Sequence, residues 1–109
     1  MTPKSKHLSF RPHAETFIDI TWDEANRLEH EARRPFPPFR VAKLLDWSRI
    51  KKRKDREHPD HPERFQALVA WRISEPPPIL FVVYSKVDGF LKLISIRYAN
   101  DEERTTFYR

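Results

Sequence analysis

The 109-residue chain contains no cysteine, which excludes a disulfide scaffold, a thiolate zinc site and a cysteine nucleophile together. It contains a single glycine, Gly89, so a glycine-rich loop of the kind that cradles phosphates has nothing to be built from. No apolar run approaches the ~18 residues needed to span a bilayer. Lys4 and Lys6 are followed by no apolar stretch of the secretory type, so no membrane contact and a cytoplasmic location are expected. Ten prolines stiffen the connections instead. Aromatic residues at 13% and hydrophobic residues at 39% are more than a disordered chain carries, and the length suits one small domain.

Charge is unevenly spread. Residues 49–56 hold Arg49, Lys51, Lys52, Arg53, Lys54 and Arg56 against Asp55, which equals the +5 of the whole chain. A concentrated basic segment on an otherwise balanced domain points to a polyanion, most simply nucleic acid. A solvated lysine-rich loop is the alternative.

Residues 1–16 lack periodicity and read as a flexible basic tail, leaving residues 17–109 as a single domain. Phe17-Ile18-Asp19-Ile20 is a short strand candidate. Thr21 and Glu24 then form a capping-box pattern for a helix from Trp22 to about Arg34, with Trp22, Ala25, Leu28 and Ala32 as its apolar stripe. Pro35, Pro37 and Pro38 end it. Val41, Leu44, Leu45 and Ser48 suggest a second helix over Phe39–Arg49, followed by the basic run. From Glu63 the period becomes two: Phe65, Ala67, Val69, Trp71 and Ile73 mark an antiparallel strand. Ile79–Ser85 suits a strand buried on both faces. Asp88-Gly89 signals a tight hairpin, and Phe90–Tyr98 returns as the next strand. Asn100 with Glu103 caps a last helix. The expected fold is α+β, a small antiparallel sheet of about four strands with two helices after the first strand and a C-terminal helix.

Several elements then combine: Trp22-Asp23-Glu24 at a strand-to-helix junction, Glu63-Arg64-Phe65 opening a strand, Val83-Tyr84-Ser85 closing the next, Leu93-Ile94-Ser95-Ile96-Arg97, and Ala99 followed by Glu102-Glu103-Arg104 and Tyr108. In this order they resemble the BrnT family of type II toxins, related in fold to the RelE and ParE toxins, over residues 17–108. The resemblance implies a small ribonuclease that blocks translation. It also implies a cognate BrnA-like antitoxin with a DNA-binding domain, forming a hetero-oligomer with a toxin that is monomeric when isolated. The chain departs from the family pattern at Asn26, at Arg33-Arg34-Pro35 and at Lys92. At Lys92 charge is kept, but the planar fork that grips a phosphate with two bonds is lost.

RNA can be cut without metal when its 2′-hydroxyl attacks the adjacent phosphate. Arginine suits the stabilisation of phosphate charge, because it stays protonated, and Arg64 and Arg97 occupy the matching strand motifs. Glu63 or His61 is the candidate for proton transfer, with His58 a further imidazole able to exchange protons near neutrality. Tyr84 and Tyr108 offer hydroxyls or stacking rings, and Tyr84 is included among the catalytic candidates. Lys51, Lys52, Arg53, Lys54, Arg56, Lys86 and Lys92 are the RNA-binding candidates. No cofactor and no metal are expected; His58, Asp60 and His61 read as loop residues, without a clear third ligand. Arg97 has a structural alternative, pairing with Glu102 or Glu103, and Arg64 another, a solvated strand face. Two further functional readings stay open: a non-catalytic binding module on the same fold, and a gyrase poison of the ParE type.

Overall fold

The computed structural model describes residues 9–58 and 60–109; the first eight residues of the expected tail and Pro59 lie outside the described residues. The period-two segments form a meander, although its first strand ends at Ala70 and leaves Trp71 and Ile73, expected within it, in the following turn. β4 (Arg64–Ala70) pairs antiparallel with β5 (Ile79–Val87), and β5 with β6 (Phe90–Tyr98). Asp88 and Gly89 link the last two with φ of 52° and 84°, the left-handed pair a tight hairpin requires. β5 is buried on both faces for most of its length.

The sheet is larger than four strands, and this corrects the expected fold class. Among the described residues it has six strands in the order β1-β3-β4-β5-β6-β2, with two short α-helices. β1 (Arg11–His13) and β2 (Ile20–Trp22) form the two edges, and β2 runs parallel to β6, so the sheet is mixed. The segment read as a tail is therefore part of the sheet from β1 onward, with Phe10 and Glu15 buried. An exposed three-residue edge strand has no alternation to betray it.

The expected second helix is a 3-10 helix over Phe39–Leu44, and the basic run belongs to β3 (Asp46–Lys54). Trp47 and Ile50 of β3 point into the core. The lysine stems lie along the sheet, with the Lys52 ammonium 4.1 Å from the centre of the Phe65 ring. That packing is why a strand so rich in charge is stable.

Trp22 is held in β2 opposite Leu93, so helix α1 (Glu24–Arg33) starts later, capped by Asp23 rather than Thr21. Its expected apolar stripe faces outward: Leu28 is 57% exposed and Ala25 and Ala32 are exposed. The inward face is polar. Asn26 donates to the Ile94 carbonyl at 2.9 Å, His30 meets Ser95 at 3.3 Å, and Glu31 accepts from the Phe39 amide at 2.8 Å. Thus Asn26, a departure from the toxin pattern, fastens α1 to β6. Helix α2 (Asp101–Tyr108) carries the expected capping box, with both Asn100–Glu103 bonds formed.

Alternation along the strands divides the core. One face buries Trp47, Val69, Val82, Tyr84, Leu93 and Ile96 with Phe39 of the 3-10 helix. The other buries Phe10, Leu68, Ala70, Ile79 and Phe81 near α2. Residues 14–19 join the two edge strands across the first face. Glu15 anchors this strap: its side chain, 3% exposed, accepts from Tyr84 Oη at 2.6 Å, Lys86 Nζ at 2.8 Å and Lys52 Nζ at 3.1 Å. Burial alone would raise the Glu15 carboxyl, but these three donors outweigh it and bring its pKa down to about 2.

Candidate functional site

Helix α2 covers only part of its sheet face. Cross-strand register sets what the uncovered part displays. Arg53 stands opposite Gln66, Gln66 opposite Val83, and Val83 opposite Ser95. Arg64 opens β4 on the same side as Gln66, two residues away. Arg97 lies opposite Phe81 on β6. A cavity of about 420 Å³ results, lined by Arg53, Arg64 and Arg97, by Asp55 and His58 from the loop after β3, and by Glu103 from α2, among others.

Arg64 and Arg97 thus share one cavity, but their guanidinium groups differ. Arg97 gives two bonds of 2.9 Å to Glu103, a third of 3.1 Å to the Tyr98 carbonyl, and stacks 4.1 Å from the Phe81 ring centre. The structural alternative for Arg97 is realised with Glu103. Burial pushes the Glu103 carboxyl up; the Arg97 bonds and the Asn100 amide bring it to a net position below the usual range. Arg64 has no side-chain partner among the described residues, and its Nε atom is buried without a hydrogen bond. Arg53, with its guanidinium 4.2 Å from the Phe10 ring centre, donates Nε–H to Gln66 Oε1 at 2.7 Å. Burial lowers its pKa.

The proton-transfer candidates are rearranged. Glu63 and His61 face each other at 3.5 Å but neither lines the cavity. Glu63 precedes Arg64, and successive strand residues turn to opposite faces. Tyr84 is fully buried on the other side of the sheet, its hydroxyl spent on Glu15; burial, then Glu15, raise its pKa. It is not a cavity residue. His58 is one, and its Nδ1 lies 2.9 Å from Asp55 Oδ2. Asp55, 1% exposed at its side chain, also accepts from Gln66 Nε2 at 3.2 Å and from the Glu57 amide at 3.1 Å. A buried carboxylate bonded to Nδ1 fixes the ring and leaves Nε2 to exchange a proton. Sequence reasoning placed this role on Glu63 or His61, with His58 only a further imidazole; the signal available was the Asp-x-x-His spacing just after the basic run.

Asp55, Glu57 and His58 bring one ligand atom each within 4.8 Å of one another. The Asp55 oxygens are already committed as above, and Arg53 and Arg64 line the same cavity, an arrangement that disfavours a further cation.

The RNA-binding candidates scatter. Lys51 donates to the carbonyls of Thr106 and Arg109 at the end of α2. Lys52 and Lys86 are spent on Glu15. Lys92 is exposed opposite Ser85, outside the cavity lining. Lys54 bonds the Pro62 carbonyl and lies 5.0 Å from the Phe65 ring centre. With Arg11, Lys52, Arg53, Arg56 and Phe65 it lines a second hollow of about 380 Å³ that no carboxylate lines among the described residues. The two hollows share Arg53. Among the described residues no helix is long and apolar enough to cross a membrane. Compared with known families, with curated proteins and with solved structures, this chain matches none of them.

Proposed function

We propose that the chain is a ribonuclease acting on single-stranded RNA, and that it works as a BrnT-like toxin restrained by a DNA-binding antitoxin. The observation that carries the nuclease reading is one cavity lined both by the His58–Asp55 pair and by Arg64, whose guanidinium has no side-chain partner among the described residues. The toxin reading adds the resemblance of residues 17–108, and the antitoxin comes with it.

In the proposed step His58 Nε2 takes the proton of a 2′-hydroxyl as its oxygen bonds to the neighbouring phosphorus. Arg64, with Arg53 beside it, balances the charge gathering on the phosphate oxygens. The bond to the 5′-oxygen breaks, that oxygen receives the proton back, and a 2′,3′-cyclic phosphate remains. A cavity of about 420 Å³ is near the low end of small-ligand sites, room for one unpaired nucleotide rather than a duplex. The carboxylate-free hollow beside Arg53 suits the adjoining phosphates.

Incubation of a single-stranded RNA with the purified protein in excess chelator tests this. Expected are fragments ending in cyclic phosphate, lost in His58→Ala and Arg64→Ala variants that keep their fold. Undiminished cleavage by both variants overturns the site, and no cleavage by the native chain overturns the reaction.

One observation favours a second reading, a binding module without catalysis. Asp55, Glu57 and Glu103 offset the three arginines of the cavity, and Glu103 occupies Arg97. That reading expects salt-sensitive RNA binding with no cut product.

A further inference from the structure

We infer that Gln66 is a positioning residue that ties the phosphate-gripping Arg53 to the His58–Asp55 pair. The inference rests on the ribonuclease reading above. Gln66 is 4% exposed in a strand whose following residues, Ala67, Leu68, Val69 and Ala70, are all buried and apolar. A polar side chain there is costly unless both ends of its amide are bonded. Both are: Oε1 accepts from Arg53 Nε at 2.7 Å and Nε2 donates to Asp55 Oδ1 at 3.2 Å.

One orientation of the amide satisfies an obligate donor on one side and an obligate acceptor on the other. A carboxylate would lack the donor, and an apolar chain would lack both. From behind, the Phe10 ring fixes Arg53, and from beyond, Asp55 fixes His58. Gln66 is thereby the second of four side chains running from a phosphate ligand to a proton acceptor. The groups facing His58 across the cavity are Asp55 and Glu57 of its own loop, Arg53 of β3, Arg64 of β4, Arg97 of β6 and Glu103 of α2, with the His61 ring 6.4 Å away.

The test compares Gln66→Met, close in volume and without either bond, in the native and the His58→Ala backgrounds. The assay is single-turnover cleavage of a single-stranded RNA, alongside the imidazole nitrogen shifts of His58 by NMR. Expected are a fall of about 10- to 100-fold in the cleavage rate in the native background, little further fall in the His58→Ala background, and moved His58 shifts. An equal fall in both backgrounds, or full activity with unmoved shifts, overturns the inference. If the native chain itself cuts no RNA, the ribonuclease reading falls, and the nitrogen shifts alone decide whether Gln66 fixes the pair. Should Gln66→Met fail to fold, Gln66→Glu, which keeps the bond to Arg53 and loses the one to Asp55, carries the same comparison.

Discussion

Arg97 and Glu103 join β6 to the first turn of α2 through two parallel bonds of 2.9 Å, while the same guanidinium lines the cavity that Arg64 enters without a side-chain partner among the described residues. One arginine is committed to the fold and the other is available to a ligand. Their substitutions therefore separate stability from activity.

Arg64→Ala is expected to lower RNA cleavage by about 10- to 1000-fold, in line with loss of one transition-state donor, and to leave the melting temperature almost unchanged. Arg97→Ala leaves the Glu103 carboxylate, 11% exposed, without its cation, and about 2 kcal/mol of stability should be lost with it. Cleavage kinetics and thermal denaturation of both variants check the split.

His58→Ala should reduce the cleavage rate by about 10²- to 10⁴-fold, the range for a removed general acid–base group. His61→Ala and Glu63→Gln should change it by less than about threefold, because neither residue lines the cavity. A larger effect at His61 or Glu63 than at His58 would return the role to the residues favoured by sequence alone.

Glu15 gives the chain an acid limb of known sign. Its carboxyl is held down to about 2 in the fold against an ordinary value of 4.5, so its stabilisation is complete above pH ~4.5 and disappears as pH falls toward 2. The difference corresponds to about 3 kcal/mol. Glu15→Gln should lose most of this at neutral pH and flatten the decline between pH 4.5 and 2, measured by urea denaturation across that interval.

Gly89→Ala tests the β5–β6 turn. At φ 84° an added Cβ is strained by its own backbone and would stand 3.0 Å from Ile18 Cδ1, a side-chain end that can move. The expected cost is about 1 kcal/mol or slightly more, from the backbone rather than the contact, read from the denaturation midpoint.

Lys54→Ala combined with Arg56→Ala should weaken RNA binding at every sequence. The slope of log affinity against log salt should flatten by about 1.4, as for two lost contacts to a single strand. An unchanged slope would remove this hollow from the RNA path.

The parts of the fold legible in the sequence are those with strong local signals. Asp88-Gly89 fixes a hairpin by backbone conformation, Asn100 and Glu103 cap α2 reciprocally, and the alternation after Glu63 finds β4. What escaped notice depends on distant partners. β3 hides because Lys52 and Lys54 pack through their stems on Phe65, a contact invisible to a hydrophobic pattern. The face of α1 is inverted because Asn26, His30 and Glu31 find polar partners on β6 and at Phe39. At the site, spacing brought Arg64 and Arg97 to one cavity through strand register, whereas Tyr84 fell on the wrong face. The His58–Asp55 pair lies in a loop, where no periodicity assigns direction.

The strap of residues 14–19 has one more implication. It connects β1 and β2, so a single stretch of chain shields both rims of the sheet, each with only three residues. Proteolytic nicking or deletion of this stretch would bare the hydrogen-bonding margins of β3 and β6 simultaneously. Open margins of that length recruit other copies edge to edge. The Glu15 anchor, together with Phe17 packed edge-on against Trp47, is then the chain's first defence against self-association.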